Sequence, residues 1–518
     1  MTSRVHHITA SAGRWLAGGV LAVAACAARE HRTPDDTLVV LVEQGMTSAD
    51  PRSTVREMDL KLSRLVCPGL VVMDALDSTP QLGLAERIDQ VDPLTWDVTL
   101  RDGPRFSDGT PVTADDVAWT YESAIADGSR TLAERFAGFD RIDARHLRIH
   151  LKKPLATLIT DLDLGVAARH AADAKGKFPG GVAIGAGPYR IDALGPDRVR
   201  LSRNPHYDGP PPPTPRVDIR VVRDAAARIV MLAGGSADLV QNGIRYDLVD
   251  DVLARPRLTE QRGPSLKLTY LMLNNRDPLL ADARVRRALA MALDRPAIVA
   301  RKFGGRAVVA TGLVPPGHWA YVAPAHPLVH DLAEAGRLLD AAGYPDPDGP
   351  GGRPRLSLVY KTSSDQFRVA VARVIAAQLA QLDVAVEVRP FEFGTFFADI
   401  KKGAFQLGSM QTGDVSEPDM YFAYFHSSRI PDKDHPDDTN RWRYANPEVD
   451  RLLEQGRSEP DRAARIALYA RAQELLLADM PIVPLWHEDN VALINRAVDG
   501  FQVLPSARWS SFARVRKR

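Results

Sequence analysis

Residues 100–117 read LRDGPRFSDGTPVTADDV, and no other stretch of the chain says as much about its fold. Apolar residues alternate just before it and predict a strand over residues 95–100. Asp108 and Gly109 indicate a tight turn. Thr113 and Asp116, three residues apart, are close to a capping box at the start of a helix. The stretch therefore predicts a strand, a turn and a capped helix in close succession.

A second local pattern lies in the C-terminal half of the chain. Residues 356–360 and 384–388 each read as a strand, and residues 366–382 between them read as a helix. One face of that helix is apolar and carries Val371, Ile375, Leu379 and Leu382. A strand, a crossover helix and a second strand imply a parallel pair, and therefore an α/β domain.

Length and charge limit the classes of function. The chain has 518 residues, which is too long for one hydrophobic core and suggests roughly two to four domains. Because 66 Lys and Arg residues nearly balance 65 Asp and Glu residues, there is no electrostatic reason to expect a nucleic acid as partner. The basic residues at the C-terminus are interpreted as a solvated tail.

The N-terminus has the layout of a secretory signal. Arg4 and Arg14 precede an apolar run over residues 15–25, which is too short to span a bilayer. The run ends in Val-Ala-Ala before Cys26, and this resembles the bacterial lipoprotein box, in which the cysteine thiol receives the lipid. We therefore expect a signal peptide over residues 1–26, a lipid anchor on Cys26 and a polar tether over residues 27–36.

Enzyme motifs are absent from the sequence. It contains no G-x-S-x-G elbow, no H-E-x-x-H, no paired C-x-x-C and no Walker-type phosphate loop. Residues 343–352 lack the acid spacing of a calcium loop, and residues 487–489, reading HED, are interpreted as a solvated turn rather than a metal site. Cys67 would be the one cysteine left after cleavage and is interpreted as a small buried hydrophobe. We expect no enzymatic activity, no cofactor and no metal site.

The stretch at residues 100–117 resembles LRDGVKFSDGTPLTAEDV, a phrase that recurs in one class of solute-binding proteins of bacterial ABC importers. This class is the peptide and nickel class, called family 5. Further segments resemble the family in the same order along the chain, and together they cover essentially residues 37–505. They lie at residues 185–190, 222–239, 271–288, 444–453 and 480–485.

The resemblance implies an α/β fold, a two-lobed clamp of the periplasmic-binding type (type II-like). Lobe I would span residues 37–271 with an inserted subdomain at about 60–185, and lobe II would span residues 272–485. Residues 486–518 would return to lobe I and end in the basic tail. It also implies an extracytoplasmic monomer that captures a solute by hinge closure and delivers it to a membrane permease and its ATPase. The anchor would hold it on the periplasmic or cell-surface face of a bacterial membrane.

The ligand is expected at residues 403–421, which read GAFQLGSMQTGDVSEPDMY. The alternation up to residue 409 predicts a short strand, and a polar loop with three carboxylates follows it. Residues 413–418 resemble a segment of dipeptide- and oligopeptide-binding members whose aspartate binds the peptide ammonium, and this places Asp414 in that role. The main chain of the preceding strand, near Met410 and Thr412, would pair with the peptide backbone. The predicted ligand-binding residues are Met410, Gln411, Thr412, Gly413, Asp414, Asn440, Trp486 and His487.

The sequence is also compatible with other interpretations. An acid in a loop can also lie in water or cap the following turn. Many peptide-binding members have a tryptophan at the position of Gln411. The ligand could therefore be a non-peptide solute such as an oligosaccharide, an opine or a metal chelate. The chain could also be a surface lipoprotein that senses a solute without transporting it.

Overall fold

The structure, a computed structural model, describes residues 33–54, 56–349 and 351–518. The predicted signal peptide, Cys26 and most of the predicted tether lie outside the described residues. The strands of the described part are, in chain order, β1 (Thr37–Val42), β2 (Val71–Val72), β3 (Gln81–Leu82), β4 (Ala85–Asp92), β5 (Thr95–Leu100), β6 (Phe136–Arg141), β7 (His146–Leu151), β8 (Tyr189–Leu194), β9 (Arg198–Arg203), β10 (Arg216–Val221), β11 (Leu239–Gln241), β12 (Leu258–Leu273), β13 (Ala307–Val309), β14 (Leu356–Ser363), β15 (Val384–Phe391), β16 (Leu407–Gln411), β17 (Ile482–Asn495), β18 (Val498–Asp499) and β19 (Arg516–Lys517).

The α-helices of the described part alternate with these strands. They are, in chain order, α1 (Glu57–Val66), α2 (Ala114–Ala126), α3 (Arg130–Arg135), α4 (Leu158–Asp161), α5 (Ala225–Ala233), α6 (Val249–Leu253), α7 (Ala283–Met291), α8 (Arg295–Phe303), α9 (Leu332–Ala341), α10 (Gln366–Leu379), α11 (Phe393–Lys402), α12 (Met420–Phe425), α13 (Pro447–Ser458) and α14 (Arg462–Asp479). Short 3₁₀ turns lie at Arg169–Ala171, Pro179–Gly181, Tyr246–Leu248, Ala380–Leu382, Ser427–Arg429 and Ser510–Arg514.

Two long antiparallel strands, β12 and β17, connect the two halves of the largest sheet. Its strand order is β15-β14-β16-β12-β17-β11-β1-β10-β9-β8, with β13 also paired to β17. Residues 258–264 pair with residues 489–495 on one side, and residues 268–272 pair with residues 482–487 on the other. An irregularity in the pairing separates these two ladders. The chain therefore forms two lobes that share a pair of crossing strands.

Each lobe buries both faces of its half of the sheet. In lobe II, one cluster includes Leu271, Val285 and Leu358, and a second includes Tyr270, Phe396 and Trp442. Lobe I is built in the same way, with one cluster on each face of β1. Apolar cover on both faces is the arrangement expected of an α/β layer structure. The α/β class is confirmed, whereas the lobe boundaries after residues 271 and 485 stay predictions. The interpretation of the C-terminus as a solvated tail is wrong for Lys517, whose buried ammonium group bonds Asp238 at 2.9 Å.

The predicted strand–helix–strand unit is confirmed. β14 and β15 pair in parallel over their whole length, from Leu356 opposite Val384 to Ser363 opposite Phe391. Helix α10 crosses between them, and a 3₁₀ turn extends it over residues 380–382. The apolar face predicted for this helix is buried in the core of lobe II.

The stretch at residues 100–117 folds as predicted. β5 ends at Leu100, and α2 begins after Thr113, whose hydroxyl accepts from the Asp116 amide while the Asp116 carboxylate binds the Thr113 amide. The Asp108 carboxylate accepts from the amide of Thr110, and Gly109 takes φ +91° in the turn. The capping box is therefore present in both directions.

A separate antiparallel sheet, in the order β4-β5-β7-β6, lies inside lobe I. Helix α2 covers it, and Val98, Phe106, Tyr121 and Ile149 are fully buried in a core of its own. We call this body the insert; its predicted extent of about 60–185 stays a prediction. Gly185 lies against the end of α1, where a Cβ would lie only 2.0 Å from the Val66 carbonyl oxygen, so a side chain at this position would clash.

Candidate ligand-binding cleft

The polar loop after β16 is fixed at the point where β12 crosses from one lobe to the other. The Thr412 amide donates to the Leu268 carbonyl at 2.9 Å, and the Val415 amide donates to the Leu266 carbonyl at 2.8 Å. These two bonds lie on either side of Lys267, so Asp414 is held beside Lys267 at the junction of the lobes. We call residues 413–419 the acidic loop.

The edge of β16 is partly open toward β14. Because Met410 is opposite Tyr270 and Thr412 bonds Leu268, the alternation of an antiparallel ladder directs the main-chain groups of both residues to β12. The main-chain groups of Met410 and Thr412 themselves are therefore not free for the predicted pairing with a peptide. The same alternation directs the main-chain groups of Gln411, between them, to the opposite edge. There, β14 pairs only with Leu407 and Gly408. The open edge therefore begins at Ser409 and runs toward the acidic loop.

Lobe I presents a ladder of charges opposite the acidic loop. Glu57, Lys61 and Arg64 are spaced by four and three residues, which places them on one face of α1. The Lys267 ammonium bonds the Glu57 carboxylate at 2.7 Å across the junction, and Lys61 reaches the same carboxylate at 3.0 Å. Burial raises the pKa of Glu57, but the two ammonium groups outweigh it and bring the pKa to about 2. Glu57 is therefore ionised.

A second group of charges continues the ladder. The Arg508 guanidinium donates to the Asp163 carboxylate at 2.7 Å with one terminal nitrogen and bonds the second oxygen with the other. Arg64 reaches the same carboxylate at 3.0 Å, and its side chain is 30% exposed. Two guanidinium groups against one carboxylate leave a net positive charge on this face of lobe I.

Asp414 faces these cations from lobe II without a direct hydrogen bond. Within the described ranges, no donor lies at bonding distance from its carboxylate, although the side chain is partly buried. Burial raises the pKa of Asp414 above its ordinary value, while Lys267, Arg64 and Arg508 act in the opposite direction. Asp414 is therefore an acid close to cations, each of which already bonds another carboxylate.

Glu488 is a candidate residue that the sequence did not reveal. The Gln411 side-chain amide donates to its carboxylate at 2.8 Å, the Trp486 indole at 3.4 Å, and Arg368 approaches to 3.8 Å. The interpretation of residues 487–489 as a solvated turn is wrong, because they lie within β17. A strand buried on both faces lacks the alternation that would have indicated it.

Three predicted site residues are buried inside lobe II. The Asn440 amide donates to the carbonyls of Phe425, His426 and Tyr444 and is fully buried. Trp486 is fully buried against Phe303, with the ring centres 5.2 Å apart. The Asn440 side chain is occupied by these carbonyls, whereas the Trp486 indole reaches the Glu488 carboxylate that Gln411 also bonds. The part of both residues in ligand binding stays a prediction.

His487 is the third of these residues and lies behind Lys267. Its Nδ1 donates to the Lys267 carbonyl at 3.1 Å. Burial lowers the pKa of His487 to about 4, so the ring is neutral at physiological pH. His487 therefore fixes the main chain on which Lys267 stands, and its own contact with a ligand stays a prediction.

The other end of the acidic loop meets the insert. The Asp419 carboxylate contacts Arg457 of lobe II at 2.8 Å and Arg135 of the insert at 2.8 Å. Arg135 also pairs with Asp161. Burial raises the pKa of Glu417, between these groups, to about 8. These contacts close the insert onto lobe II.

A cavity of about 600 Å³ lies beside this contact, between the insert and lobe II. Its rim is bridged by Arg130, which bonds Asp438 at 2.8 Å, and by Arg429, which bonds Glu134 at 2.5 Å. In the part of the chain that the structure describes, no helix is long and apolar enough to cross a membrane, and no group of three or more His, Cys, Asp or Glu side chains is arranged for a metal ion.

Comparisons with known proteins support the fold. The family model described as bacterial extracellular solute-binding proteins, family 5, middle region, matches residues 79–432. The probable D,D-dipeptide-binding periplasmic protein DdpA of Escherichia coli K12 is 28% identical over 423 residues, which is 79% of each chain. The glutathione-binding protein GsiB of the same strain is 28% identical over 489 residues, 91% of this chain and 93% of that protein.

A solved structure is similar along almost the whole chain. NikA from Brucella suis, in complex with Fe(III)-EDTA, superposes with a TM-score of 0.83 at 21% identity and covers 94% of this chain and 100% of NikA. At this identity the likeness shows the fold. It confirms the predicted two-lobed clamp of the periplasmic-binding type.

Proposed function

The chain belongs to family 5 of the bacterial extracellular solute-binding proteins, and on this premise we propose that it captures peptides, holding their free ammonium group with Asp414. As a member of the family it is the extracytoplasmic substrate-binding component of an ABC importer, and the family binds solutes rather than transforming them. The peptide, the residues that hold it, the monomeric state and the lipid anchor on Cys26 are our proposals.

The observation that carries the proposal is the environment of Asp414. Its carboxylate lies at the junction of the lobes with no donor at bonding distance in the described part of the chain, and it is fixed there by the bonds of Thr412 and Val415 to β12. An ammonium group placed against a partly buried carboxylate gains a charge-assisted hydrogen bond. Such a bond stabilises the closed clamp only if the ligand also contacts lobe I.

The open edge of β16 supports a peptide in particular. The main-chain groups of Gln411 point to the edge that β14 leaves unpaired beyond Gly408. An extended peptide can add to such an edge as a further strand, and this mode reads the backbone rather than the side chains. The names of the relatives agree, since DdpA is described as dipeptide-binding and GsiB as glutathione-binding.

A metal chelate is the second candidate. Arg64 and Arg508 together outweigh the Asp163 carboxylate and give the lobe I face a net positive charge. This charge would attract an anionic chelate, and the similar NikA structure holds Fe(III)-EDTA. Asp414 argues against it, because its carboxylate faces the same space and repels an anion whenever it is ionised.

Native mass spectrometry of residues 27–518, purified without refolding, tests the proposal. We expect co-purified masses that differ by amino-acid residues. The same preparation of Asp414→Asn should lack them, whereas Asp102→Asn, an exposed acid in a turn of the insert, should retain them. A single non-peptide mass, or the same peptides on Asp414→Asn, would contradict the proposal.

A further inference from the structure

Four cationic side chains of the described residues form two groups at the junction of the lobes, and three of them, Lys267, Arg64 and Arg508, act on the Asp414 carboxylate. Lys61 and Lys267 share Glu57, at 3.0 and 2.7 Å. Burial lowers the pKa of Lys267, but Glu57 and Asp414 outweigh it and raise the pKa. The Lys267 ammonium group is therefore charged, and the two lysines share one carboxylate.

The second group has the same imbalance. Arg64 and Arg508 share Asp163, at 3.0 and 2.7 Å. Arg508 uses both terminal nitrogens on this carboxylate and is nearly buried, with 7% of its side chain exposed. Arg64 contacts Asp163 with one nitrogen and is 30% exposed. Arg64 is therefore the guanidinium that has N–H groups free to donate to a ligand.

The charges around Asp414 do not suit a lone ammonium group. Each pair of cations retains one positive charge after its shared carboxylate, and Asp414 offsets one of these two. Two further acids lie nearby: partly buried Asp74, near Arg508, whose pKa burial raises above the ordinary value, and Glu488, which acts on Lys267 but has Arg368 at 3.8 Å. A ligand that brings only an ammonium group adds a positive charge to this set. A carboxylate beside that ammonium group would neutralise the added charge and remove the electrostatic repulsion from the cations.

We infer that the ligand presents an α-amino acid head, with its ammonium group on Asp414 and the carboxylate of the same carbon on Arg64. The inference rests on the proposed function and narrows its ligand class. Arg64 belongs to lobe I and Asp414 to lobe II, so one small head bonds both lobes. Contacts made to both lobes at once are those that favour the closed state.

Arg508 and Asp163 are positioning residues in this arrangement. The bidentate contact of Arg508 fixes the Asp163 carboxylate, and Asp163 holds one nitrogen of Arg64 at 3.0 Å. The remaining donors of Arg64 are thereby oriented in a planar fork that matches a carboxylate. Lys267 stays bonded to Glu57 and contributes charge without contacting the head.

Two isomeric dipeptides test the inference. γ-Glutamylglycine carries a free ammonium group and a free carboxylate on one carbon, whereas α-glutamylglycine has the same mass and charge but an ordinary peptide bond at that carbon. We expect the γ isomer to bind the wild-type protein about tenfold more tightly in calorimetry, as one additional charge-assisted contact provides. Equal affinity, or tighter binding of the α isomer, would overturn the inference.

Arg64→Gln supplies the matched variant. It should remove the preference for the γ isomer, and Arg64→Lys should restore only part of it, because a lysine lacks the fork. Arg56→Gln is the control, since that guanidinium bonds the Gly45 carbonyl at 3.0 Å instead of the ladder. A preference that persists in Arg64→Gln would contradict the role of Arg64. Thermal melting checks that each variant is folded.

The outcomes separate this inference from the proposed function. If Asp414→Asn weakens both isomers about equally and the wild type shows no preference, the ammonium site stands and the amino acid head is wrong. If Asp414→Asn weakens neither isomer, the proposed function fails as well. Absence of binding for both isomers at millimolar concentration also overturns the inference, because a head held by both lobes should bind without a longer tail.

Discussion

The two ends of the acidic loop carry the same side chain in opposite situations. Asp419 is 5% exposed and lies between Arg457 and Arg135, each at 2.8 Å. Asp414, five positions earlier, has no bonding donor in the described structure, and the cations nearest to it bond Glu57 and Asp163 instead. The difference lies in what the opposing body provides. The insert supplies Asp419 with a partner, whereas lobe I leaves Asp414 to receive one.

The largest expected effect concerns stability at the Asp419 end. Asp419→Ala leaves Arg135 and Arg457 without their shared carboxylate in a buried contact. Breaking a buried pair in this way costs about 3–5 kcal/mol. Urea unfolding followed by tryptophan fluorescence measures it. Asp414→Asn is the comparison and should lower stability by less than about 1 kcal/mol, because it breaks no bond. Equal losses of unfolding free energy in the two variants would contradict the claim that Asp419 is paired and Asp414 is not.

The second prediction separates buried from exposed contacts of the insert. Arg135→Gln should weaken the closed state by about 3 kcal/mol, because Asp161 and Asp419 both lose a buried partner. Arg130→Gln is the matched control: its side chain is 38% exposed, and such a pair contributes at most about 1 kcal/mol. Ligand release in stopped flow should be accelerated more by Arg135→Gln than by Arg130→Gln. If Arg130→Gln accelerates release more than Arg135→Gln does, the exposed ion pairs at the rim of the cavity, and not the buried pairs, hold the insert against lobe II.

The pH dependence tests Glu417, which lies between the two ends. Its pKa rises from the ordinary 4.5 to about 8, mainly through burial, so the folded protein keeps a proton that the unfolded chain releases. Stability from this group is therefore present below about pH 4.5 and lost as the pH rises toward 8. We expect a decline of about 3 kcal/mol between pH 5.5 and 8. Glu417→Gln should flatten this decline, and an unchanged slope would contradict the assignment.

The smallest effect is expected beside Asp414. Gln411→Ala removes the amide that bonds Glu488 at 2.8 Å and Thr269 at 3.1 Å. Loss of these bonds should weaken ligand binding by about 1 kcal/mol through the looser Glu488, with little change in unfolding. Calorimetry with the co-purified ligand measures it. If Gln411→Ala weakens binding more than Asp414→Asn does, Glu488 rather than Asp414 is the main ligand-binding acid.

Local patterns were the part of the fold that the sequence revealed. The capping box at Thr113 and the parallel unit around α10 depend on residues close together in the chain, and both are confirmed. The acidic loop was also found, because its turn residues follow a short strand. Its two ends could not be told apart, since each is an aspartate in a polar segment.

The partners of the loop could not be predicted from the sequence for a physical reason. Asp163 and Arg508 bond each other across 345 residues, and Arg135 and Asp419 do so across 284. No periodicity links positions so far apart. Asn440 shows the converse, because a residue predicted for the cleft bonds three carbonyls inside lobe II. Contacts between residues so far apart in the chain can be identified only from the three-dimensional arrangement of the lobes.

A cycle of calorimetric titrations tests the central claim, that Asp414 holds the ammonium group of the ligand. Wild type and Asp414→Asn are each titrated with a co-purified peptide and with its N-acetylated form. We expect acetylation to cost the wild type about 2–5 kcal/mol, and Asp414→Asn to bind both forms with equal, weak affinity. If Asp414→Asn binds the free-amine peptide as tightly as the wild type does, the ammonium group lies elsewhere and the account is wrong.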